Sequence, residues 1–561
     1  MNKKLFVANA LVCLSLTGLS QTKAKEQPYN ILWLSCEDIG PVLGCYGAEG
    51  IKTSNIDRLA EEGIRYTHAY ATVGVCAPSR SSIITGMHPV SIGTQNMRTS
   101  NTNVNYNGVD GENYIFNRAV TSISGYNVLP YSAVPDAQVK CFTEYLRNAG
   151  YYCTNNAKSD YQFYPPFTAW DENSTEADYS HRPEGTPFFA VYNHMVTHES
   201  RIWMNADHTM SVDTSAIPIP GYYPEIPVVR KDVGRKYSNI EELDAQIGVW
   251  LKRLEKEGLL DKTIIFFWSD HGGPLLCQKR AVGSTGLHVP LIVRFPDNRM
   301  AGKVINDVVS LMDLGPTVLS LAGIEPPEYM QGKAFLGKYK NPEKREANYG
   351  SADRFDEVYD FSRSVIDGKF SYIRNFDPGL PYIYRNQYRE QIDMTRKLIE
   401  MHRNDELTGG AAYIFRDSRD DEELYDLEKD PDEIHNLAGL PEYRERLQKM
   451  RKQLASWQLN VHDKGLIDDY NLIQLFWPGL VQPATEKVVI TTEKELVKLS
   501  CPTQSASIGY QLDDQIGSER WLLFHEPLKL KKGQKLVVRA KRIGYKISEP
   551  IEFQLLFIKY K

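Results

Sequence analysis

A cysteine is the first residue of this sequence whose setting suggests chemistry. Cys76 lies in TVGVCAPSRSSIITG (residues 72–86), beside a proline and an arginine and just ahead of a predicted helix of small residues. A disulfide, a buried thiol, a metal ligand and a nucleophile all remain open for it at this point. Of the 8 cysteines, Cys13 lies in the N-terminal segment, and the other seven are scattered without a Cys-x-x-Cys pair. Because seven is an odd number, at least one of these cysteines cannot form a disulfide within the chain.

Titratable residues follow several predicted strands. In open α/β sheets the ligand lies beyond the carboxyl ends of the strands, whereas purely structural turns favour Gly, Asn and Ser. The residues at these ends are Glu37, Asp38, Lys158, Asp160, His194, His198, Asp270 and His271. Glu37, Asp38 and Asp270 supply hard oxygen ligands, and His271 can complete the set. The strand ends therefore predict an oxygen-rich cation site.

The elements that must position these residues form an α/β pattern. Short β-branched runs alternate with helical patterns over the first 330 or so residues, which predicts a mostly parallel sheet covered by helices. The predicted strands include YNILWLSC (29–36), TPFFAVYNHM (186–195) and VPLIVRFP (289–296), and NIEELDAQIGVWLKRLEKEG (239–258) is a long amphipathic helix. We expect this α/β domain to span residues 25–344.

Two further units are predicted after the α/β region. Short strands and a polar helix indicate a smaller α+β subdomain over residues 345–478. From 486 to 561, alternating apolar residues and closely spaced turn signals predict a small all-β domain. This last segment resembles the β-sandwich module appended to chitobiases and other glycan-degrading enzymes.

The N-terminus and the charge indicate where the protein acts. Residues 1–24 combine Lys3 and Lys4 with an apolar run and a small-residue cleavage site at Ala24, which is typical of a secretory signal peptide. Its removal takes three lysines and brings the formal net charge from −6 to −9. We therefore expect an exported protein, periplasmic or secreted, without a membrane-spanning segment. An acidic surface argues against nucleic acid and anionic membranes as partners.

The stretch CAPSRSSIITG resembles the signature of type I sulfatases, in which a maturation enzyme oxidises the cysteine to formylglycine. The segments NNAKSDYQF, VTHES, SDHGG and GLHVPLIVRFP follow in the order that this family has them. The resemblance covers roughly residues 28 to 470 and implies the alkaline phosphatase-like fold. ELYDLEKDPDEIHNLAG and LASWQLNVHD are especially similar to heparan N-sulfatase (N-sulfoglucosamine sulfohydrolase) and its bacterial relatives.

The resemblance also implies a role for each site residue. Cys76 becomes the formylglycine, and its hydrate attacks the sulfur of the substrate. Arg80 holds that hydrate, Lys158 and Lys279 bind the sulfate oxygens, and His198 is the general acid. The implied calcium ligands are Glu37, Asp38, Asp270, His271 and the modified residue 76.

Three positions depart from the usual family pattern. Glu37 stands where Asp is common, which lengthens the ligand arm but keeps the carboxylate, and His271 stands where Asn is frequent. Asp160 occupies the place of a second histidine in many members. Which group assists the release of sulfate is therefore open.

Substrate recognition is predicted from residues close in sequence to these motifs. Arg98 with Gln95 or Asn96 is expected to reach sugar hydroxyls or a neighbouring carboxylate. His288 replaces an arginine of many relatives and is expected to face the leaving sugar. His194 either lines the pocket or is a buried structural histidine.

The leading hypothesis is an exported calcium-dependent sulfatase, exo-acting on sulfated glycan saccharides such as glycosaminoglycan or mucin-type O-sulfated sugars. Its partners are then a sulfated mono- or oligosaccharide and the maturation enzyme. The alternatives are an N-sulfoglucosamine sulfohydrolase and a phosphodiesterase or phosphonate hydrolase of the same superfamily. A non-catalytic glycan-binding protein would be expected to lack the motif cysteine or the lysines, and both are present.

Overall fold

The largest element of the protein is an eight-stranded mixed sheet. A computed structural model describes residues 28–99, 120–156, 158–493 and 496–555. The strands of the sheet are β1 (Asn30–Cys36), β2 (Ile64–Tyr70), β3 (Tyr152–Asn156), β4 (Glu172–Ser174), β5 (Phe188–His194), β6 (Thr263–Ser269), β7 (His288–Arg294) and β8 (Lys303–Ser310). Their order is β4-β3-β5-β1-β6-β7-β2-β8. The predicted strand at residues 29–36 corresponds to the central β1.

Helices cover both faces of this sheet. They are α1 (Ser54–Glu61), α2 (Cys76–Thr85), α3 (Pro89–Ile92), α4 (Phe142–Asn148), α5 (Ser200–Met204), α6 (Pro227–Lys256), α7 (Ser284–Leu287) and α8 (Leu314–Leu321). Alternate residues of β1 divide between two cores: Trp33 packs with Phe142 on the α2 and α4 side, and Leu34 packs with Leu243 on the α1 and α6 side. Burial on both faces explains why β1 is apolar throughout instead of alternating.

One strand runs against the others. β7 pairs antiparallel with both β6 and β2, whereas the other neighbouring strands pair in parallel. A parallel connection usually carries a crossover helix, but the link from β6 to β7, residues 270–287, contains only the four-residue α7. β7 therefore begins at the same edge of the sheet at which β6 ends. The link between them lies at this edge, beside the carboxyl ends of the parallel strands. The sequence patterns did not predict β2 or β8.

A four-stranded antiparallel sheet follows, in the order β12-β11-β10-β9. Its strands are β9 (Asn348–Phe355), β10 (Val358–Ile366), β11 (Phe370–Asn375) and β12 (Glu422–Asp426), and its helices are α9 (Asp393–Arg403), α10 (Gly409–Ile414), α11 (Arg444–Val461) and α12 (Asp469–Phe476). Ala352 and Phe355 of β9 pack against Val75 and Cys76 at the start of α2. This second sheet therefore forms one wall of the region around Cys76.

The C-terminal segment forms two small antiparallel sheets, ordered β13-β14-β17 and β16-β15-β18-β19. The strands are β13 (Val489–Glu493), β14 (Leu496–Ser500), β15 (Ser507–Leu512), β16 (Leu522–Leu523), β17 (Leu528–Lys529), β18 (Lys535–Lys541) and β19 (Ile551–Gln554). Their core includes Val497, Leu536 and Val538. The unit packs directly on the α/β region, where the rings of Trp521 and Phe167 are 5.0 Å apart.

The predicted signal peptide, residues 1–24, lies outside the described residues. Within the described ranges, no helix has both the length and the apolar character needed to cross a bilayer. The seven cysteines in these ranges are all free thiols. Cys76 is therefore one of several unpaired cysteines, and its surroundings must distinguish it.

Candidate active site

Cys76 lies at the first position of α2, in a helix that is buried along its whole length. Small residues permit this close packing: a Cβ on Gly74 would lie 2.4 Å from the carbonyl oxygen of Ala281. Ser79 Oγ donates a 2.5 Å hydrogen bond to the Asp270 carbonyl oxygen, which fixes α2 to the end of β6. The small residues of the motif therefore let the Cys76 helix enter between two loops of the sheet edge.

Acidic and imidazole groups surround the Cys76 sulfur. Sγ lies 3.4 Å from Glu37 Oε2, 3.4 Å from His271 Nε2 and 3.9 Å from Asp38 Oδ1. Burial raises the pKa of the Cys76 thiol, so the side chain is a neutral thiol, unlike the low-pKa cysteines that act directly as nucleophiles.

These donors suit a hard divalent cation. Ligand atoms of Glu37, Asp38, Cys76 and His198 lie within 4.8 Å of one another, and so do those of Cys76, Asp270 and His271. The three carboxylates are fully buried, and buried charges are normally paired or bound to a metal. Carboxylate oxygens are the preferred ligands of calcium and magnesium. The donor set therefore fits such an ion, with the imidazole as an additional ligand.

The carboxylates differ in their electrostatic surroundings. Burial tends to raise the pKa of Glu37 and of Asp38, but the neighbouring cations lower both below their ordinary values. Burial and the charge of Glu37 instead raise the pKa of Asp270. Burial disfavours the charged form of His271, yet Asp270 and Asp38 raise its pKa to about 10. The crowded acids therefore hold His271 protonated when no metal ion is bound.

Arg80 connects the two acidic strand ends. It lies one helical turn after Cys76 and so on the same face of α2. Its Nε donates to Asp270 Oδ2 at 3.0 Å, and its guanidinium also pairs with Glu37. The remaining nitrogen, Nη1, donates to Asn193 Oδ1 at 2.7 Å. Arg80 is thereby held in one orientation beside residue 76.

Two buried ammonium groups complete the cluster. Lys158 Nζ lies 2.7 Å from Glu37 Oε2, and Lys279 Nζ lies 2.6 Å from Asp38 Oδ2 and 3.6 Å from Cys76 Sγ. Burial would lower the pKa of Lys279, but Asp38 and Cys76 raise it above the ordinary value. The Lys279 ammonium therefore remains charged beside the Cys76 sulfur.

His198 lies in the same buried group. The Ser200 backbone N–H donates to Nδ1 at 3.2 Å, which makes Nδ1 an acceptor and leaves the proton of the neutral ring on Nε2. Burial and the nearby Lys279 lower the pKa of His198 well below its ordinary value. The ring therefore presents a fixed N–H donor.

Arg98 and Asp160 form a pair next to Lys158. Arg98 Nη1 lies 2.9 Å from Asp160 Oδ1, and Asp160 Oδ2 lies 3.5 Å from Lys158 Nζ. Both Arg98 and Asp160 have a left-handed backbone, with φ of 58° and 54°, as does Asp38 with φ of 50°. Non-glycine residues in this region cost free energy and concentrate at functional sites.

The other predicted substrate-binding residues do not contact the charged groups around Cys76. His194 Nδ1 lies 2.9 Å from the Ser35 carbonyl oxygen, in a contact between β5 and β1. Gln95 is buried, and its Oε1 has no hydrogen-bond partner. His288 Nε2 lies 2.7 Å from the Thr67 carbonyl oxygen, and His288 lines a separate cavity. His194 and His288 lie at the sheet edge and Gln95 follows α3, and none of the three forms a hydrogen bond with Cys76.

Sequence reasoning missed a second layer of charged and polar residues. The Glu199 backbone N–H donates to Asp38 Oδ2 at 2.6 Å, while its carboxylate binds Arg280 Nη1 at 3.0 Å. Arg280 also lies 3.2 Å from Asp356. Glu199 and Arg280 directly follow His198 and Lys279 in the chain, so their position beside predicted site residues was the available signal.

Two family models match this chain. The family model described as Sulfatase matches residues 29–324, and that described as "N-sulphoglucosamine sulphohydrolase, C-terminal" matches residues 272–402. The first match spans more than half of the chain. The chain belongs to the sulfatase family. As a sulfatase it is a sulfuric ester hydrolase, as predicted.

Curated relatives cover most of this sulfatase. An "Ulvan-active sulfatase" of Formosa agariphila is 39% identical over 95% of this chain and 92% of its own length. The human N-sulphoglucosamine sulphohydrolase is 25% identical over 78% of this chain and 91% of its own length.

Solved structures confirm the alkaline phosphatase-like fold expected for a sulfatase. A structure from Bacteroides thetaiotaomicron, reported with the metabolism of multiple glycosaminoglycans, has a TM-score of 0.55 at 16% identity and covers 78% of this chain and 97% of its own. Another, solved in complex with its substrate D-glucosamine-2-N,6-O-disulfate, has a TM-score of 0.51 at 17% identity and covers 78% of this chain and 98% of its own. At these identities the likeness concerns the fold alone.

Proposed function

We propose that this sulfatase is exported, binds calcium and removes sulfate from carbohydrates, with Cys76 converted to formylglycine by a maturation enzyme. The observation that carries the proposal is the position of Cys76. Its sulfur lies 3.4 Å from both Glu37 Oε2 and His271 Nε2 and 3.6 Å from Lys279 Nζ. Residue 76 is thus in reach of a metal site and of an anion-binding lysine at once.

Glu37, Asp38, Asp270 and His271 would hold the calcium ion. Their donor atoms are grouped around residue 76, and the acids are shielded from water. When bound, calcium would supply positive charge that favours ionisation of a hydroxyl on residue 76. A formylglycine hydrate at residue 76 would supply the nucleophile and a second hydroxyl for the later release of sulfate.

The cationic side chains would bind the sulfate group. The buried ammonium group of Lys158 contacts Glu37, and that of Lys279 contacts Asp38. Sulfate remains anionic throughout the reaction and would be attracted by both. Preorganised donors of this kind act strongly because little water is present to screen them. Arg80 would orient residue 76, since three of its nitrogens are already fixed by Asp270, Glu37 and Asn193.

His198 would act as the general acid. A sugar alkoxide is a strong base, so the leaving oxygen requires a proton in the transition state. Proton transfer from Nε2 requires the imidazolium form, because a neutral ring would be left as an imidazolate. Ser200 Oγ, 2.9 Å from Nδ1, can accept the second ring proton, and the negative charge of a bound sulfate would favour the protonated ring.

O-sulfated oligosaccharides are the substrates that we propose. This choice is supported by the ulvan-active relative, which is 39% identical over nearly the whole chain. N-sulfated glucosamine is the second candidate, because residues 272–402 match the C-terminal family model of N-sulphoglucosamine sulphohydrolase.

Residues 1–24 would direct export of the protein. N-terminal sequencing of the native protein would test this, because removal of the signal peptide would leave a new N-terminus.

An assay of sulfate release distinguishes the candidate substrate classes. Matured enzyme should be incubated with ulvan oligosaccharides, N-sulfoglucosamine and 6-O-sulfated N-acetylgalactosamine, and free sulfate measured by ion chromatography. We expect release from an O-sulfated sugar and none by the Cys76→Ala variant. Release from N-sulfoglucosamine alone would favour the second candidate, and release from none of the sugars would refute the proposed substrate class.

A further inference from the structure

A cavity of about 420 Å³ lies behind the loop that carries His271 and Lys279. Its walls include the loop after β1, the end of β2, helix α6 with the segment before it, the loop from β6 to β7, and the segment after β12. Its lining includes Tyr70, Tyr222, Lys236, Gln278, His288 and Asp432. None of the residues grouped around Cys76 lines it. We call it the Lys236 cavity.

Lys236 differs from the lysines of the catalytic cluster. Its side chain is buried, with the residue only 6% exposed, and Nζ donates to the neutral Gln278 Oε1 at 3.2 Å. Among the described residues, no carboxylate forms an ion pair with it, and burial alone lowers its pKa to about 8. Lys158 and Lys279, by contrast, each contact a carboxylate within 2.7 Å. A buried ammonium without a counter-ion is costly.

The remaining walls suit a sugar ring. Tyr70, Tyr222 and Tyr237 line the cavity with aromatic side chains, which offer apolar faces together with polar edges. His288 Nε2 faces the Thr67 carbonyl oxygen at 2.7 Å, so it donates there, and Nδ1 is left as an acceptor. Asp432 accepts the Gly221 backbone N–H at 2.7 Å and has a further oxygen for hydroxyl groups. The volume lies within the range of small-ligand pockets, about 300–1,000 Å³.

We propose that the Lys236 cavity binds an anionic saccharide unit, with Lys236 as the counter-ion of its carboxylate or sulfate and the tyrosine rings against the sugar. The saccharide part rests on the proposed function, whereas the negative charge follows from Lys236, the one lysine in the lining. The carboxylates of Asp432 and Glu428 also line the cavity, and Glu428 is already paired with Lys369. The wall that carries Gln278 continues directly into Lys279. A sugar bound here would therefore lie on the opposite side of this loop from residue 76.

Calorimetry on the full chain with Cys76→Ala tests this site without substrate turnover. The probes are D-glucuronate, glucose 6-sulfate, inorganic sulfate and neutral glucose at pH 7. We expect both sugar anions to bind at least tenfold more tightly than glucose. Lys236→Met should weaken glucuronate binding tenfold or more, while Lys252→Met, an exposed lysine on the same helix, should leave it unchanged.

Two further variants separate this site from the catalytic cluster. Lys158→Met should abolish sulfate release in the otherwise native enzyme but preserve glucuronate binding in the Cys76→Ala background. Removal of an unpaired buried charge should not unfold the protein. Thermal melts check this, and Lys236→Gln serves as a second variant.

Three results would overturn the proposal: unchanged glucuronate binding in both Lys236 variants, loss of glucuronate binding in Lys158→Met, or binding of inorganic sulfate but of neither sugar anion. If the native enzyme releases no sulfate from any sugar but glucuronate binding still depends on Lys236, the proposed function is refuted and the proposed binding site is not.

Discussion

Lys279 Nζ lies 2.6 Å from Asp38 Oδ2 and 3.6 Å from Cys76 Sγ. One ammonium group thus contacts both a carboxylate proposed to bind calcium and the residue proposed to become the nucleophile. Because this lysine comes from the loop after β6 and Asp38 from the loop after β1, the contact joins two adjacent strand ends. The proposed metal, nucleophile and sulfate sites therefore share one buried group of charges.

Lys279→Met should reduce kcat/KM on a sulfated sugar by about 10²- to 10³-fold, the effect typical of losing one preorganised donor to transition-state charge. The methionine keeps the length of the side chain but removes the charge. Steady-state sulfate release measures the effect, with Lys252→Met, an exposed lysine, as the control. Activity within twofold of the native enzyme would exclude Lys279 from sulfate binding.

His198→Gln should affect substrates according to their leaving groups. We expect a loss of about 10²- to 10⁴-fold with a sugar sulfate, the usual contribution of a general acid. The loss with 4-nitrophenyl sulfate should be much smaller, because nitrophenolate leaves without protonation. His208→Gln, at an exposed histidine, is the control. An equal loss on both substrates would argue against the acid role.

Metal removal should lower stability as well as activity. If the proposed calcium ion is bound, a chelator would leave Glu37, Asp38 and Asp270 buried together without a cation, so the free energy of unfolding should fall. At free calcium 100-fold above its Kd, binding adds about 2.7 kcal/mol, which urea unfolding with and without calcium measures. Asp270→Asn should reduce this calcium-dependent gain. If calcium leaves the native protein's unfolding curve unchanged, these residues do not form a calcium site.

His88 predicts a pH dependence away from the site. Trp457 Nε1 donates to His88 Nε2 at 3.1 Å, and burial lowers the pKa of His88 to about 3. The unfolded histidine, with a pKa of about 6.5, takes up a proton first, so stability is lost as the pH falls from about 6.5 towards 3. His88→Gln should remove this part of the loss, about 2 kcal/mol between pH 6.5 and 4.5.

Urea unfolding of the native chain and His88→Gln at both pH values measures the difference. The comparison between variants cancels the titration of the other acidic groups. His462→Gln, at an exposed histidine on the end of α11, is the control. Equal pH dependence in the native protein and His88→Gln would show that His88 is not held neutral.

The strand-end residues could be grouped from the sequence because parallel strands end at the same edge. Cys36 of β1 is in register with His194 of β5 and Ser269 of β6, so the residues after them must be neighbours. The helix motif then adds Cys76 and Arg80 on one face of α2. Strand order and a few signature residues therefore suffice to predict the composition of the cluster.

The direction of individual side chains could not be predicted in this way. His194 and His288 lie at the same edge, but each ring contacts a backbone carbonyl of a neighbouring strand instead of residue 76. The antiparallel direction of β7 also determines where His288 lies. Asn193 and Glu199 each adjoin a predicted site residue in the sequence, but their contacts with Arg80 and Arg280 are visible only in the structure.

Mass spectrometry of the peptide that contains residue 76, taken from protein purified from its native host, tests the central claim most directly. We predict that residue 76 is formylglycine in the active protein and that the formylglycine fraction parallels the sulfate-release activity across preparations. Unmodified cysteine at residue 76 in fully active native protein would contradict the proposed mechanism.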